Sequence, residues 1–118
     1  MQLNHLDLPV PDVAITAAVL TRCLDFVPLK PIDADMALLR GEGGFVLVLT
    51  RARADEPPYP RDFHIGFLQP SDQAVWDAYR RLQTQGVDLP MEPRSAYGAL
   101  AFYFPLPGGV TVEISHRG

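Results

Sequence analysis

Apolar residues in the first quarter of the chain follow two different periods. From Leu3 to Val10, polar and apolar residues alternate, which is the pattern of a half-buried strand. Pro11 and Asp12 then open a stretch, reaching about Phe26, in which apolar residues recur every three or four positions, as on one face of a helix. The N-terminal segment is therefore predicted to be a strand followed by a helix.

Three further strands are predicted before the middle of the chain. They are short apolar runs around residues 29–33, 36–40 and 45–50, and the last of them follows a glycine-rich turn at 41–44. The segment 51–61 is charged, rich in proline and without a period, so it is predicted to be a connection at the surface. The first half is thus β-α-β-β-β.

The same order of elements is predicted after this connection. Residues 62–68 have a strand pattern, and a helix begins at Ser71-Asp72 and ends at Gly86. The apolar face of this helix carries Val75, Tyr79 and Leu82. Further strands are predicted around residues 87–91, 100–104 and 110–115.

Two correspondences support an internal duplication. Each half begins on a strand that carries a histidine, His5 in the first and His64 in the second, and a helix start follows each of them. Near the ends of the halves, residues 43–49 align with residues 108–114, since a Gly-Gly pair precedes an apolar strand in both. This alignment places Val48 at the position of Glu113.

Length and composition agree with one small domain. The chain has 118 residues, of which 47% are hydrophobic, and this allows a single ordinary core. We therefore predict one α+β domain over residues 1–118, with modules of about 1–52 and 62–118 and a linker of about 53–61. The formal net charge of -4, without a basic cluster, argues against a nucleic-acid partner.

The single cysteine and the N-terminal sequence bear on the compartment. Cys23 is the one cysteine of the chain, so no internal disulfide can form, and its place in the first helical pattern favours a buried thiol. Residues 1–5 lack the basic start and apolar run of a signal peptide, and no apolar stretch approaches membrane-spanning length. We expect a cytoplasmic protein with no membrane partner.

Three segments carry a family resemblance: NHLDLPVPD at residues 4–12, FHIGF at 63–67, and FYF at 102–104 running to PGGVTVE at 107–113. They resemble the signature strands of the vicinal oxygen chelate superfamily, which includes glyoxalases, bleomycin-resistance proteins and extradiol dioxygenases. The resemblance covers nearly the whole chain. It implies two βαβββ modules that form a cup-shaped, eight-stranded mixed sheet, with a divalent metal held by side chains from the first and last strand of each module.

Those four ligand positions are His5, Val48, His64 and Glu113 in this sequence. The resemblance thus implies three metal ligands, and two imidazoles with one carboxylate suit Mn, Fe, Ni or Zn while leaving positions open for substrate oxygens. Val48 departs from the pattern, because a glutamate at this position in glyoxalase I can bind metal and act as base, whereas valine can do neither. We expect a metal-dependent lyase, isomerase or transferase rather than a glyoxalase I.

The chain is similar in length and motif order to the small fosfomycin-resistance proteins, which share the His, His, Glu triad. Two departures separate it from them. Asp7 stands where those enzymes carry a small hydroxyl residue, and their phosphonate-binding lysine would fall near Met91 or Glu92. Fosfomycin itself is therefore not the expected substrate.

Strand alternation and the resemblance add further candidate site residues. Asp7 lies two residues from His5 and is a candidate base, or a partner of a ligand histidine. Tyr103 matches a tyrosine that reaches the substrate in the fosfomycin-resistance group. The predicted substrate contacts are Val48, Thr111 and two residues in a loop before the strand at 100–104, namely Arg94, the best anion-binding fork, and Tyr97.

Three functions remain open at this point. The first is Lewis-acid catalysis on a small oxygen-rich substrate. The second is metal-free binding of a small molecule, as in the bleomycin-resistance branch, and the third is Fe(II) extradiol dioxygenase activity. A homodimer is expected, because each module leaves a half-cup whose edge and apolar face need covering. In similar short proteins, the first module of one chain pairs with the second module of its partner.

Overall fold

The computed structural model describes residues 1–57 and 59–118, so Pro58, within the predicted linker, lies outside the described residues. The chain divides into two compact units, Met1–Pro57 and Pro58–Gly118. The elements of the first unit are β1 (His5–Val10), α1 (Val13–Cys23), β2 (Val27–Pro28), β3 (Met36–Arg40) and β4 (Val46–Arg51). Those of the second unit are β5 (His64–Leu68), α2 (Asp72–Thr84), β6 (Arg94–Ala96), β7 (Ala99–Pro105) and β8 (Thr111–Arg117). Both units have the order β-α-β-β-β, which confirms the predicted α+β class and the two modules.

Each unit forms a mixed sheet, and the two sheets have corresponding strand orders, β1-β4-β3-β2 and β5-β8-β7-β6. The first strand of each unit pairs in parallel with the last, and the other neighbours are antiparallel. The registers also correspond, since His5 pairs with Val46 and His64 pairs with Thr111. Val46 and Thr111 are equivalent in the Gly-Gly alignment, so the predicted duplication extends to the register of the strands.

In the first unit, one face of the sheet packs on α1. Leu8 and Val10 of β1 are buried on that face, whereas His5 and Asp7 point to the opposite face and are exposed. We call the face turned away from the helix the distal face; in the first unit it carries His5, Asp7, Leu38, Val48 and Thr50, and in the second His64, Gly66, Tyr103, Thr111 and Glu113. The distal faces therefore carry all of the predicted strand ligands.

The start of α1 offers a test of its local stability. Asp12 caps the helix, because its Oδ1 accepts a hydrogen bond of 2.9 Å from the backbone N–H of Ile15. Replacing Asp12 with alanine leaves that N–H without its partner and is expected to lower the free energy of unfolding by about 1 kcal/mol. Urea denaturation measures this loss, and Asp12→Asn, which keeps the acceptor, is the control. A loss of the same size in Asp12→Asn would contradict the capping role.

In the second unit, aromatic residues form the centre of the core between α2 and the sheet. Phe102 is fully buried and contacts the ring of Tyr79 edge-to-face at 5.4 Å. The predicted helix face is confirmed, since the buried residues of α2 are Val75, Tyr79 and Leu82. Of the helices in the described residues, none is long and apolar enough to cross a membrane.

Gly86 ends α2 as the sequence predicts. Its φ is +76°, and the N–H groups of Gly86 and Val87 donate to the carbonyls of Gln83 and Leu82, both at 3.1 Å. This pair of bonds is a Schellman motif, which favours glycine at the left-handed position. The predicted end of α1 near Phe26 lies slightly too late, because Asp25 has a φ of +62° and the helix ends at Cys23.

Two predicted strands are wrong. Residues 29–33 are not a strand, because Pro31 lacks an N–H for the ladder and Asp33 turns the chain by accepting from the N–H groups of Asp35 and Met36. The paired segment lies just before, at Val27–Pro28. Residues 87–91 also lie outside the ladder, since Pro90 interrupts them, and the strand forms later, at β6.

Candidate functional site

Three polar side chains from three strands meet on the distal face of the second unit. Tyr103 of β7 pairs with Glu113 of β8, and the Tyr103 hydroxyl donates a hydrogen bond of 2.9 Å to Oε1 of Glu113. The other oxygen, Oε2, lies 3.6 Å from Nε2 of His64. The rings of His64 and Tyr103 are 6.0 Å apart and edge-to-face. The carboxylate thus turns one oxygen to the phenol and the other to the imidazole.

Gly66 leaves the space that the Glu113 carboxylate occupies. It pairs with Glu113 across β5 and β8, and a Cβ atom at position 66 would lie 3.3 Å from Oε2 of Glu113. That separation is shorter than an ordinary van der Waals contact, so a side chain at this position would press on the carboxylate. The glycine therefore lets the longer Glu113 side chain reach the level of His64.

The orientation of His64 is set by its second ring nitrogen. Nδ1 lies 3.0 Å from the carbonyl oxygen of Asp62. A carbonyl only accepts, so Nδ1 carries the hydrogen and donates it, and the neutral ring has its lone pair on Nε2, the atom nearest Glu113. Ligand histidines in metal sites are commonly held through their other nitrogen in this way.

The distance between His64 and Glu113 suits two ligands of one ion. At 3.6 Å, Nε2 and Oε2 are too far apart for a hydrogen bond. Two ligand atoms that are each about 2.1 Å from a shared divalent ion would be separated by roughly 3.0–3.4 Å, slightly less than the observed 3.6 Å, so a small side-chain movement would bring both atoms to the ion. The side chains of His64 and Glu113 are 46% and 18% exposed, so the pair remains accessible. The donor set and its spacing fit a divalent metal.

The distal face of the first unit has a related but altered arrangement. Nδ1 of His5 lies 2.8 Å from Oδ1 of Asn4, which accepts its hydrogen and leaves Nε2 with the lone pair. Asp7 accepts a hydrogen bond of 2.8 Å from the hydroxyl of Thr50. Val48 pairs with Asp7 on one side and with Leu38 on the other. The position equivalent to Glu113 is therefore apolar.

Residues 1–57 and 59–118, which the structure describes, contain no group of three or more His, Cys, Asp or Glu side chains placed to hold a metal ion. His64 and Glu113 form a pair of donors, and a complete site needs at least one further ligand. The histidine that corresponds to His64 in the duplication is His5.

The sequence model of the Glyoxalase/Bleomycin resistance protein/Dioxygenase superfamily matches residues 2–114. The chain belongs to this superfamily. The resemblance of the three signature segments is thereby confirmed. The comparison with curated proteins found no match.

Solved structures of other proteins have the same fold as this superfamily member. A possible glyoxalase from Bacillus cereus is 32% identical, with 97% of each chain covered and a TM-score of 0.83. A glyoxalase/bleomycin resistance protein/dioxygenase from Nocardioides is 22% identical, with 99% of this chain and 83% of the other covered and a TM-score of 0.80. A lactoylglutathione lyase from Agrobacterium tumefaciens is 18% identical, with 98% and 92% covered and a TM-score of 0.77. The last two similarities show the fold alone.

In this member of the glyoxalase superfamily, the structure around Arg94 differs from the prediction. Arg94 does not lie in a loop but in the edge strand β6. A two-residue turn at Tyr97-Gly98, with φ values of +52° and +77°, joins β6 to β7 and makes the hairpin. Arg94 pairs with Ala101, which in turn pairs with Ser115. Arg94 therefore lies on the same distal face as Glu113, while Tyr97 is fully exposed at the turn.

Several contacts of the candidate site were not predicted from the sequence. Asn4 and the Asp62 carbonyl orient the two histidines, and Thr50 holds Asp7. Thr50 could have been found, because it lies two residues after Val48 and so shares its face. His116 is paired through Nδ1 with Asp72 at 2.8 Å, away from the distal face.

The pKa of the Tyr103 hydroxyl is raised. The hydrogen bond to Glu113 raises the pKa of Tyr103 above its ordinary value of 10.0; burial and the charge of Glu113 act in the same direction, and Arg117 opposes them. In metal-free protein, the neutral phenol therefore contributes stability below about pH 10, which is lost as the pH rises through the raised pKa.

A spectrophotometric titration of phenolate checks this prediction. Subtracting the Tyr103→Phe curve from the wild-type curve should isolate a tyrosine that ionises above pH 10. Glu113→Gln, which replaces the charged acceptor, should bring that ionisation back towards its ordinary range. A difference curve that rises at or below pH 10 would rule out the stabilising hydrogen bond.

Proposed function

We propose that this superfamily member is a divalent-metal-dependent enzyme that acts on a small oxygen-rich substrate, as a lyase, isomerase or transferase. The proposed metal ligands are His5, His64 and Glu113. The observation that carries the proposal is the His64 and Glu113 pair, in which Nε2 and Oε2 lie 3.6 Å apart and Nδ1 is already committed to the Asp62 carbonyl.

The chemistry of the donor set supports this proposal. Neutral imidazole and carboxylate are the ligands that Mn, Fe, Ni and Zn share, and a site with few protein ligands keeps positions for substrate. A divalent ion held there would serve as a Lewis acid towards the substrate oxygens. Tyr103 would hold one oxygen of Glu113, which leaves the other oxygen for ligation. The same hydroxyl is the candidate to reach the substrate.

Further residues are assigned to substrate binding. Thr111 pairs with His64, and Arg94 lies on the same face at the edge strand, where its guanidinium suits an anionic group of the substrate. Tyr97, at the neighbouring turn, and Val48, on the distal face of the first unit, complete the proposed contacts. Because valine cannot act as ligand or base, the proposed activity is not that of glyoxalase I.

We propose that the protein works as a homodimer, as the resemblance implies. Sedimentation equilibrium tests this, since the single chain has a mass of 13.0 kDa. A mass of about twice that value supports the dimer, and a monomer mass at micromolar concentration contradicts it.

Metal content is the direct test of the proposed function. Protein purified without chelators should contain close to one divalent ion per chain by elemental analysis. Calorimetric titration of stripped protein with Mn, Fe, Ni and Zn should then show a saturable site. If none of the metals binds, the enzyme proposal fails.

A second candidate is supported by the first unit. Its distal face carries the half-buried apolar side chains Met36, Leu38, Val46 and Val48. Such a face would suit an apolar ligand held without metal, as a binding protein requires. This candidate predicts that small-molecule binding persists when the proposed metal ligands are replaced by alanine.

A further inference from the structure

The two units carry their distal-face carboxylates on different strands. In the second unit, the carboxylate is Glu113 on β8, and its partner on β5 is Gly66. In the first unit, the equivalent of Glu113 on β4 is Val48, and its partner on β1 is Asp7. The same pair of facing positions thus holds glycine and glutamate in one unit, and aspartate and valine in the other.

In the second unit, the paired glycine and glutamate are complementary in size. Gly66 leaves space for the Glu113 carboxylate, since a Cβ atom at position 66 would lie 3.3 Å from Oε2 of Glu113. In the first unit, the polar side chain, Asp7, is on the edge strand β1 and the apolar one, Val48, is on the inner strand β4. Partners on neighbouring strands are about 4.8 Å apart, so the Asp7 carboxylate lies about one strand spacing away from the position that corresponds to Glu113.

Each carboxylate is held in the same manner. The hydroxyl of Thr50 donates to Oδ1 of Asp7 at 2.8 Å, and the hydroxyl of Tyr103 donates to Oε1 of Glu113 at 2.9 Å. Each bond uses one of the two oxygens of its carboxylate. A carboxylate held through one oxygen is oriented to ligate through the other.

Each unit also has, on the same face as its carboxylate, a histidine whose Nδ1 donates a hydrogen bond. His5 lies two residues before Asp7 on β1, so their side chains share the distal face. His5 is held by Asn4 as His64 is held by the Asp62 carbonyl. The first unit therefore has the same chemical components as the second, an oriented imidazole and an oriented carboxylate.

We propose that Asp7 is a metal ligand and supplies the carboxylate that Val48 cannot provide. This inference rests on the proposed metal function, and it gives each unit one histidine and one carboxylate ligand. Two carboxylates would balance the charge of a divalent ion, and the ligand set would then hold two imidazole nitrogens and two carboxylate oxygens. Such a set suits six-coordinate Mn²⁺ or Fe²⁺ better than tetrahedral Zn²⁺.

Binding of Mn²⁺ to metal-stripped protein tests the inference. Asp7→Asn keeps the size of the side chain and an oxygen for the Thr50 hydroxyl but removes the charge. We expect its dissociation constant for Mn²⁺, measured by calorimetry, to rise by about tenfold or more. Asp35→Asn is the matched control, because Asp35 is an exposed carboxylate of the same unit that pairs with Arg51 at 3.0 Å. It should bind Mn²⁺ as the wild type does.

A double variant separates ligation from a structural role. Asp7→Gly with Val48→Glu rebuilds in the first unit the glycine and glutamate of the second. It should recover Mn²⁺ affinity to within a few-fold of the wild type, whereas Asp7→Gly alone should not. A merely structural bond between Asp7 and Thr50 would not be replaced by a glutamate on the neighbouring strand, so failure of a folded double variant to recover affinity contradicts the inference.

The outcomes distinguish this inference from the proposed function. If Asp7→Asn binds Mn²⁺ like the wild type while His64→Ala does not bind it, Asp7 is not a ligand and the metal function stands. If the wild type binds no metal, the proposed function fails, and the inference with it. Thermal unfolding of the metal-free variants verifies that each is folded. If the double variant does not fold, the Mn²⁺ affinity of Asp7→Asn alone decides whether Asp7 is a ligand.

Discussion

Replacing His64 with alanine is expected to weaken binding of divalent metal by at least about 100-fold. His64 is the imidazole whose Nε2 faces the Glu113 carboxylate at 3.6 Å, and alanine removes this donor entirely. Glu113→Gln should have an effect of similar direction, because the amide has no charge and binds a divalent ion less strongly than a carboxylate. Calorimetric titration of stripped protein with Mn²⁺ and Zn²⁺ measures both.

The matched control for His64→Ala is His116→Ala. His116 is also a strand histidine of the second unit, but it pairs with Asp72 at 2.8 Å and not with the Glu113 cluster. Its replacement should leave the metal dissociation constant unchanged. Equal weakening in both variants would mean that the loss reflects a general disturbance of the unit. Unchanged binding in His64→Ala would remove His64 from the ligand set.

Replacing Phe102 with alanine is expected to lower the free energy of unfolding by about 3–5 kcal/mol. Phe102 is fully buried, and its ring contacts Tyr79 at 5.4 Å and Phe104 at 6.1 Å between centroids. Truncation removes the buried ring and leaves a cavity between α2 and the sheet. Urea denaturation of the metal-free protein measures the change.

Leu68→Ala serves as the comparison for Phe102→Ala. Leu68 lies in the same sheet, but the residue is 71% exposed, so truncation should change the free energy of unfolding by less than about 0.5 kcal/mol. A loss below about 1 kcal/mol in Phe102→Ala would show that this ring is not central to the core. Because Phe102 and Tyr103 point to opposite faces of β7, the variant also tests whether the core positions the Tyr103 hydroxyl.

If Phe102→Ala folds, its Mn²⁺ affinity shows how the two faces of the sheet are connected. Tyr103 and Glu113 are held by the pairing of β7 and β8, in which Phe102 pairs with Ile114 and Tyr103 with Glu113. The sheet pairing is made by backbone groups and not by the Phe102 ring. Metal affinity is therefore expected to change far less than stability.

The order of elements was predictable because periodicity and end signals agree. The α2 helix begins after its capping serine, buries the predicted face and ends before its glycine. The two histidine strands lie where alternation predicts them. The failures at residues 29–33 and 87–91 have local causes. Both segments are apolar enough for a strand, but Asp33 turns the chain in the first and Pro90 lacks a donor for the ladder in the second, so the chain pairs in a neighbouring segment instead.

The candidate site was predictable where it depends on position along a strand. His64, Tyr103 and Glu113 share a face because they are at matching positions of their strands, and the motifs point to them directly. The hairpin at Tyr97-Gly98 was not predicted, because a tyrosine with positive φ is uncommon and its turn gives no strong sequence signal. Arg94 was therefore placed in a loop, although it lies on a strand beside the site.

The sequence by itself determined the two β-α-β-β-β modules, their duplicated histidines and the valine at the position equivalent to Glu113, since these depend on residue type and local period. Only the tertiary structure decided which side chains orient the donors. Hydrogen bonds from Thr50 to Asp7 and from Tyr103 to Glu113 join different strands, and strand register, set by backbone pairing and core packing, brings their atoms to 2.8 and 2.9 Å. Register also placed Asp7 of the neighbouring strand beside Val48.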